Sequence, residues 1–120
     1  MAKILIVDDS AFARHSLQRI VEDGGHEVIG RAADGKQALL LFASLQPELV
    51  TLDYLMNGEC GDEVLEKIIQ IDSNAKVIMM SAMGDPGIQE KALKAGAKVF
   101  LEKPYEHRDI LKVIDQVMAA

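Results

Sequence analysis

Two hydrophobic periodicities alternate along the chain, and this alternation limits the possible folds more than any other feature of the sequence. Short, continuously apolar runs such as residues 4–7 are typical of strands that are buried on both faces of a sheet. Amphipathic segments with apolar residues at helical spacing lie between these runs. Five strand–helix pairs predict an α/β domain with a five-stranded parallel sheet and five helices on both faces.

The predicted elements fill the chain without an internal linker, so we predict one domain over residues 1–120. The strands are expected at residues 3–7, 28–32, 49–52, 76–80 and 98–102. The helices are expected at residues 11–23, 36–44, 86–95 and 106–118, and one more follows the loop at 53–61. Ser10 can cap the first helix, and Asp85 followed by Pro86 is a typical helix start.

Composition and charge argue against several classes of partner. The net charge of −6 disfavours binding to nucleic acid or to an anionic membrane, because phosphates would be repelled. No apolar run approaches the ~18 residues that a membrane-spanning helix needs. The single cysteine, Cys60, cannot form an internal disulfide, and a free thiol is typical of a reducing compartment. The chain start also lacks a signal-peptide pattern, so we expect a cytoplasmic protein.

Polar side chains follow four of the predicted strands at the point where each strand ends. These residues are Asp8 and Asp9 after the first strand, Asp53 after the third, Ser81 after the fourth, and Lys103 and Pro104 after the fifth. Ligands of parallel α/β sheets bind beyond the carboxyl ends of the strands. We therefore expect three carboxylates, a hydroxyl and an ammonium group to meet in one crevice.

Converging carboxylates favour a bound cation. Two carboxylates ~4 Å apart repel each other by about 4 kcal/mol at an effective dielectric near 20. Oxygen ligands prefer a hard ion, and a site that handles phosphoryl groups favours Mg²⁺. Either Asp8 or Asp9 alone could instead cap the first helix. Both together, with Asp53 at another strand end, favour the metal site.

Asp53 is the candidate nucleophile, since a carboxylate can accept a phosphoryl group as an acyl phosphate. Lys103 would supply a positive charge, and Ser81 a hydrogen bond to a phosphoryl oxygen. Taken singly, Ser81 is better interpreted as a strand-end hydroxyl and Lys103 as a solvated surface charge; only their joint placement favours the site. A cis Lys103–Pro104 bond, which costs only ~0.5–1 kcal/mol, would aim the ammonium into the crevice; an ordinary trans proline is the alternative.

The order and spacing of these motifs resemble the receiver domain of bacterial two-component response regulators. The motifs are Asp8-Asp9, Asp53, Ser81-Ala82, and Gly96-Ala97 followed by Lys103-Pro104. The similarity covers the whole chain and is closest in appearance to the single-domain, CheY-like chemotaxis type. It implies the flavodoxin-like (βα)5 fold with strand order 2-1-3-4-5, which the periodicity does not give.

The resemblance also implies a role for each site residue. Asp53 would accept the phosphoryl group from a histidine kinase, and Ser81 and Lys103 would contact that group. Mg²⁺ would be held by Asp9, Asp53 and the backbone carbonyl of Leu55, with Asp8 acting largely through water. The protein would be a monomer and a phosphoacceptor rather than an enzyme that turns over a substrate.

Phe100 matches the aromatic switch position of the family. The resemblance implies that Ser81 and Phe100 turn inward on phosphorylation and reshape the surface of the fourth helix, fifth strand and fifth helix for an output partner. Simple packing is the alternative for Phe100. Strand alternation places it on one face with Lys98 and Glu102, which we expect to be the less buried face.

One departure from the family pattern and two positions that flank the phosphoryl site lead to further predictions. Asn57 stands four residues past Asp53, where receivers usually have proline, so the loop at 57–61 is expected to be looser. Leu55 and Met83, each two residues past a phosphoryl-site residue, are both apolar. Neither side chain can orient an attacking water, so we expect slow autodephosphorylation.

Two other functions share part of this pattern. A Mg²⁺-dependent phosphatase of the haloacid dehalogenase type also uses an aspartate nucleophile, but it places Asp-x-Asp after the first strand, where this chain has Asp8-Asp9-Ser10. A flavodoxin-like cofactor binder needs a Gly- or Ser/Thr-rich phosphate loop at that point. The leading hypothesis is a phosphorylation-operated module of chemotaxis-like signalling. Its kinase and its output partner stay open.

Overall fold

The computed structural model describes residues 1–82 and 85–120. The strands of the main sheet are β1 Lys3–Val7, β2 Glu27–Ala32, β3 Leu49–Asp53, β4 Val77–Ser81 and β5 Val99–Glu102. The helices are α1 Ala11–Asp23, α2 Gly35–Leu45, α3 Gly61–Ile71, α4 Pro86–Lys94 and α5 His107–Ala119. Every predicted strand and helix is present within these residues, and the predicted ends lie within a residue of those observed.

All neighbouring strands of the main sheet are parallel, in the order β2-β1-β3-β4-β5. The expected flavodoxin-like order 2-1-3-4-5 is therefore confirmed. The helices α1 and α5 cover one face of the sheet, and α2, α3 and α4 cover the other. No helix in the described part of the chain is long and apolar enough to cross a lipid bilayer.

Alternate residues of the central strands supply two separate cores. In β1, Leu5 and Val7 pack toward α2 and α3, whereas Ile4 and Ile6 pack toward α1 and α5. These four side chains are fully or almost fully buried. Each such burial contributes about 1.5–3 kcal/mol, which explains why the strand is apolar at every position rather than at alternate ones.

Local side-chain caps fix two of the helices that border the carboxyl edge of the sheet. The hydroxyl oxygen of Ser10 accepts a hydrogen bond from the Ala13 amide at 3.2 Å, as expected for an N-cap of α1. Helix α5 begins with a capping box between Glu106 and Asp109 that was not predicted. Because Ser10 caps α1, neither Asp8 nor Asp9 is needed for that role.

The loop after β3 is more regular than expected. Residues Leu55–Met56 and Glu59–Cys60 form a short antiparallel ribbon. Its two turn residues, Asn57 and Gly58, have φ of 49° and 80°. Two successive positive φ angles at Asn-Gly are the signature of a type I′ hairpin turn. The expectation of a looser loop is therefore corrected, because the residue that replaces proline permits a tight turn.

Strand β5 is covered less completely than the central strands. Phe100 packs against the core on the α2–α4 side, whereas Val99 and Leu101 pack on the α1–α5 side. All three are only half-buried. Lys98 and Glu102, which alternate with these residues on the face of Phe100, are exposed, so the expectation that Phe100 lies on the less buried face is confirmed. Phe100 itself is half-buried like Val99 and Leu101, because β5 is an edge strand and both of its faces border solvent.

Candidate functional site

The ends of the parallel strands bring the predicted site residues to one edge of the sheet. Asp8 follows β1 directly, Asp53 is the last residue of β3, and Ser81 is the last residue of β4. The register pairs Asp53 with Met80 and Ser81 with Glu102, one residue before Lys103. The strands therefore end at nearly the same level, and the convergence expected from the topology is present.

The three aspartates form a compact carboxylate cluster. One oxygen atom from each of Asp8, Asp9 and Asp53 lies within 4.8 Å of the other two. Asp8 is 8% exposed, and the other two are half-buried. Ligand oxygens around Mg²⁺, bound at about 2.1 Å, lie roughly 3–4 Å apart, so this donor set fits a small hard cation with waters completing the shell. Leu55, whose carbonyl is the predicted fourth donor, opens the hairpin two residues past Asp53.

Lys103 bridges two members of the cluster. Its Nζ lies 3.1 Å from Asp8 Oδ2 and 3.3 Å from Asp53 Oδ1. Its backbone amide donates to the Ser81 carbonyl at 2.7 Å, which ties the residue to the end of β4. The Lys103–Pro104 peptide bond is cis. The lysine is only 24% exposed, so its contacts with the carboxylates are shielded from bulk water.

The electrostatics of the site follow from burial and from the excess of acidic groups. Burial raises the pKa of Asp53 above its ordinary value; Lys103 offsets part of this, and Asp8 and Asp9 add to the rise. Burial alone would lower the pKa of Lys103, but the attractions of Asp53 and Asp8 together outweigh it, and the net direction is upward. Lys103 is therefore a firmly held ammonium.

Three supporting contacts were not predicted from the sequence. The Ser10 amide donates to Asp8 Oδ1 at 3.0 Å, and Arg14 Nη1 donates to the Asp8 carbonyl at 2.6 Å. The Asn57 amide donates to Asp9 Oδ2 at 3.0 Å. Only the last of these left a signal in the sequence, namely the Asn-Gly pair that favours a hairpin turn. Met83, predicted to flank the phosphoryl site, lies outside the described residues.

A groove of about 510 Å³ opens beside the cluster, between the start of α1 and the segment that links β5 to α5. Lys103, Pro104 and Tyr105 form one wall, and Phe12 and Ala13 lie on the α1 side. Phe12 is one of the most exposed large apolar side chains among the described residues, at 82%. An approaching molecule would therefore meet an apolar surface next to Lys103.

The sequence model of the response regulator receiver domain matches residues 4–115. The chain belongs to the response regulator receiver family. Among curated relatives, the chemotaxis protein CheY of Thermotoga maritima is 39% identical over 115 residues, 96% of each chain. Protein CcdB of Bacillus subtilis is 40% identical over 118 residues, 98% of each chain. The matches place this receiver in two-component signalling, with chemotaxis regulators among its relatives.

Solved receiver structures have the same fold. The CheX–CheY–BeF3–Mg²⁺ complex of Borrelia burgdorferi contains a chain that is 36% identical, with a TM-score of 0.92 over 96% of this chain and 87% of that one. A CheY-like receiver of Methanospirillum hungatei is 28% identical, with a TM-score of 0.91 over 99% and 94% of the two chains. CheY-like receivers are signalling proteins rather than classical enzymes, and receivers bind Mg²⁺ in an acidic pocket. This chain has a cluster of three aspartates at the corresponding edge of the sheet.

Proposed function

We propose that this receiver is a phosphorylation-operated binding module in which Asp53 accepts the phosphoryl group of a histidine kinase's phosphohistidine. The observation that carries the proposal is the position of Asp53 at the sheet edge, among two further carboxylates and the Lys103 ammonium. A carboxylate oxygen of Asp53 forms the new bond to phosphorus as the phosphorus–nitrogen bond breaks, and the leaving imidazole regains a proton from solvent.

The other residues of the crevice stabilise the negative charge of the phosphoryl group in different ways. Lys103, held between Asp8 and Asp53, moves little and supplies a fixed positive charge to the phosphoryl oxygens. The Ser81 hydroxyl, at the end of β4, donates a hydrogen bond to one of those oxygens. Asp8, Asp9, Asp53 and the Leu55 carbonyl would hold Mg²⁺. When bound, this ion supplies the charge that offsets repulsion between a carboxylate and an incoming phosphoryl group.

The output is a change of surface rather than a released product. After phosphorylation, Ser81 and Phe100 turn inward and reshape the surface formed by α4, β5 and α5. The incomplete burial of Phe100 supports this proposal, because a half-buried aromatic ring can move without opening a closed core. The Borrelia complex with CheX supports partner binding by a similar chain. We propose a chemotaxis-like pathway, with the domain acting as a monomer.

The test is labelling by acetyl phosphate in the presence of Mg²⁺, followed by intact-mass and peptide mass spectrometry. The wild-type chain should gain one phosphoryl group on Asp53, and it should gain none in EDTA. Asp53→Asn should abolish labelling, whereas Asp34→Asn, at the cap of α2, should leave it unchanged. Labelling of Asp53→Asn at the wild-type level would refute the proposal. Turnover of p-nitrophenyl phosphate by the wild-type chain would favour the phosphatase alternative instead.

A further inference from the structure

We propose that the backbone amide of Asn57 is a positioning group for the cation site, a role that rests on the proposed function. This amide donates to Asp9 Oδ2 at 3.0 Å, across 48 residues of sequence. A proline, usual at this position in receivers, has no N–H and cannot make the contact. The chain therefore holds Asp9 by a contact that a proline-containing loop would lack.

The hairpin presents this amide in a defined direction. Asn57 and Gly58 have positive φ angles, which asparagine and glycine tolerate better than other residues do. The ribbon on either side is anchored. Met56 is 1% exposed in the core, and the Gly61 amide donates to the Tyr54 carbonyl. The turn is thus supported at its base.

The second arm of the ribbon is also fixed against the body of the protein. A Cβ atom placed on Gly35 would lie 1.8 Å from Glu59 Oε1, so the Glu59 carboxylate lies directly against the first turn of α2. A larger residue at position 35 would have to displace the end of this side chain and Val64 Cγ2. Contacts at Met56 and at Glu59 therefore flank the turn that carries the Asn57 amide.

Asp9 needs such a contact because its neighbours repel it. Its carboxylate shares the cluster with those of Asp8 and Asp53, and Lys103 pairs with those two. A backbone N–H that donates to a carboxylate oxygen is a charge-assisted hydrogen bond, and this one lies at an exposed position. It keeps Asp9 inside the cluster and leaves further oxygen lone pairs free for a cation. The same hairpin begins with Leu55, so one element would orient two of the proposed metal donors.

Three substitutions at position 57 test the amide and the turn geometry. Asn57→Gly keeps the N–H and tolerates positive φ, and Asn57→Ala keeps the N–H but strains the turn. Asn57→Pro removes the N–H and also excludes the observed φ of 49°, since its ring fixes φ at about −65°, so Asn57→Ala is the control for the loss of turn geometry. The readouts are the Mg²⁺ dissociation constant from calorimetry and the unfolding midpoint in EDTA.

We expect the dissociation constant to rise about tenfold or more for Asn57→Pro, as for other groups that orient a metal ligand. Asn57→Gly should stay within about twofold of the wild type, and Asn57→Ala should unfold more easily while keeping most of its affinity. An Asn57→Pro affinity within twofold of the wild type would overturn the proposal. So would an affinity loss in Asn57→Ala as large as that in Asn57→Pro.

A measurement on the metal-free protein covers the case in which Asn57→Pro does not fold. The Asn57 amide should exchange slowly with solvent in the wild-type chain and should lose this protection in Asp9→Ala. Exchange at the unprotected rate in the wild type would overturn the proposal. If Asn57 is protected and acetyl phosphate nevertheless fails to label Asp53, the positioning contact stands and the proposed function fails.

Discussion

Lys103 and Lys91 each pair with a buried aspartate, yet the two ion pairs differ in charge balance. Lys103 lies 3.1 Å and 3.3 Å from Asp8 and Asp53, and Asp9 raises the count to three carboxylates around one ammonium. Lys91 Nζ of α4 lies 3.0 Å from Asp62 Oδ2 of α3, so one cation pairs with one anion. Its hydrogen bond and charge attraction to Asp62 raise the pKa of Lys91, so this pair is complete in itself.

Burial of the aspartates does not distinguish the two regions, although Lys91 is 65% exposed and Lys103 only 24%. The side chain of Asp62 is 9% exposed and that of Asp53 is 13% exposed. The two regions differ in net charge. The cluster at Asp53 keeps an excess of negative charge after Lys103 is included, whereas the charges of Asp62 and Lys91 cancel. Arg14, which contacts the Asp8 carbonyl, reduces this excess but does not remove it. An uncompensated group of carboxylates is costly to fold, and it persists where an external cation completes it. We therefore expect a cation-dependent function at the Asp53 cluster and a purely structural role for the pair of Lys91 and Asp62.

The largest expected effect is the loss of the ammonium from the unbalanced cluster. In EDTA, Lys103→Met should lower the free energy of unfolding by about 3 kcal/mol, the lower end for a broken buried pair, since the lysine retains some exposure. Added Mg²⁺ should restore part of this stability. Lys91→Met is the control for a one-to-one ion pair and should cost much less, because that pair is balanced and because Lys91 is 65% exposed. Equal losses in urea unfolding would show that charge balance does not separate the two regions.

The lifetime of the phosphoryl group is a property that only the Asp53 cluster should have. Leu55 is 51% exposed at the rim of this cluster and cannot orient an attacking water. Leu55→Asn combined with Met83→Glu should speed hydrolysis of the phosphorylated protein about tenfold, or about 1.4 kcal/mol in the barrier. The decay of the phosphorylated mass after removal of acetyl phosphate measures the rate. Leu40→Asn, on α2, is the control, and an unchanged half-life in the double variant contradicts the prediction.

Much of the fold could be predicted because each element carries its own signal. The strands β1, β3 and β4 are apolar at nearly every position, and Ser10 marks the start of α1. Once the strands are parallel, the meeting of Asp8, Asp53 and Lys103 at one edge follows from topology. The strand order did not follow, because periodicity shows that a strand is buried but not which strand is its neighbour. That order came from the family resemblance.

Contacts that depend on helix rotation or on very short elements could not be predicted in the same way. The pairing of Asp62 with Lys91 requires that two helices face each other at the right angle, which the amphipathic pattern sets only roughly. The hairpin at Asn57 had a sequence signal, but its arms are only two residues long, too short to show strand alternation. The absence of proline at position 57 suggested a loose loop, whereas the Asn57-Gly58 pair forms a tight turn.

A smaller effect of opposite sign is expected when an excess carboxylate is neutralised. Asp9→Asn retains a side-chain oxygen that can accept the hydrogen bond from the Asn57 amide. The same substitution removes one negative charge from the cluster. In EDTA, the variant should be about 1 kcal/mol more stable than the wild type, a fraction of the repulsion between close carboxylates because the site is partly solvated. It should also lose the stabilisation that Mg²⁺ gives the wild type. A destabilised Asp9→Asn chain in urea unfolding would contradict the idea of excess charge.

The smallest effect on stability is expected in the balanced pair of Asp62 and Lys91. The sign of this effect distinguishes the two regions most clearly. Asp62→Asn removes the charge attraction to Lys91, so Tm should fall by about 2 °C. Asp9→Asn, in contrast, should raise Tm. The Mg²⁺ dissociation constant should not change, because Asp62 is not part of the carboxylate cluster. Lys94→Met, which breaks an exposed pair with Glu90 on the same helix, should leave Tm within error. Calorimetry of Asp62→Asn beside that control measures the effect. A rise in Tm would mean that buried aspartates destabilise this fold wherever they lie. The excess charge at Asp53 would then not indicate a functional site.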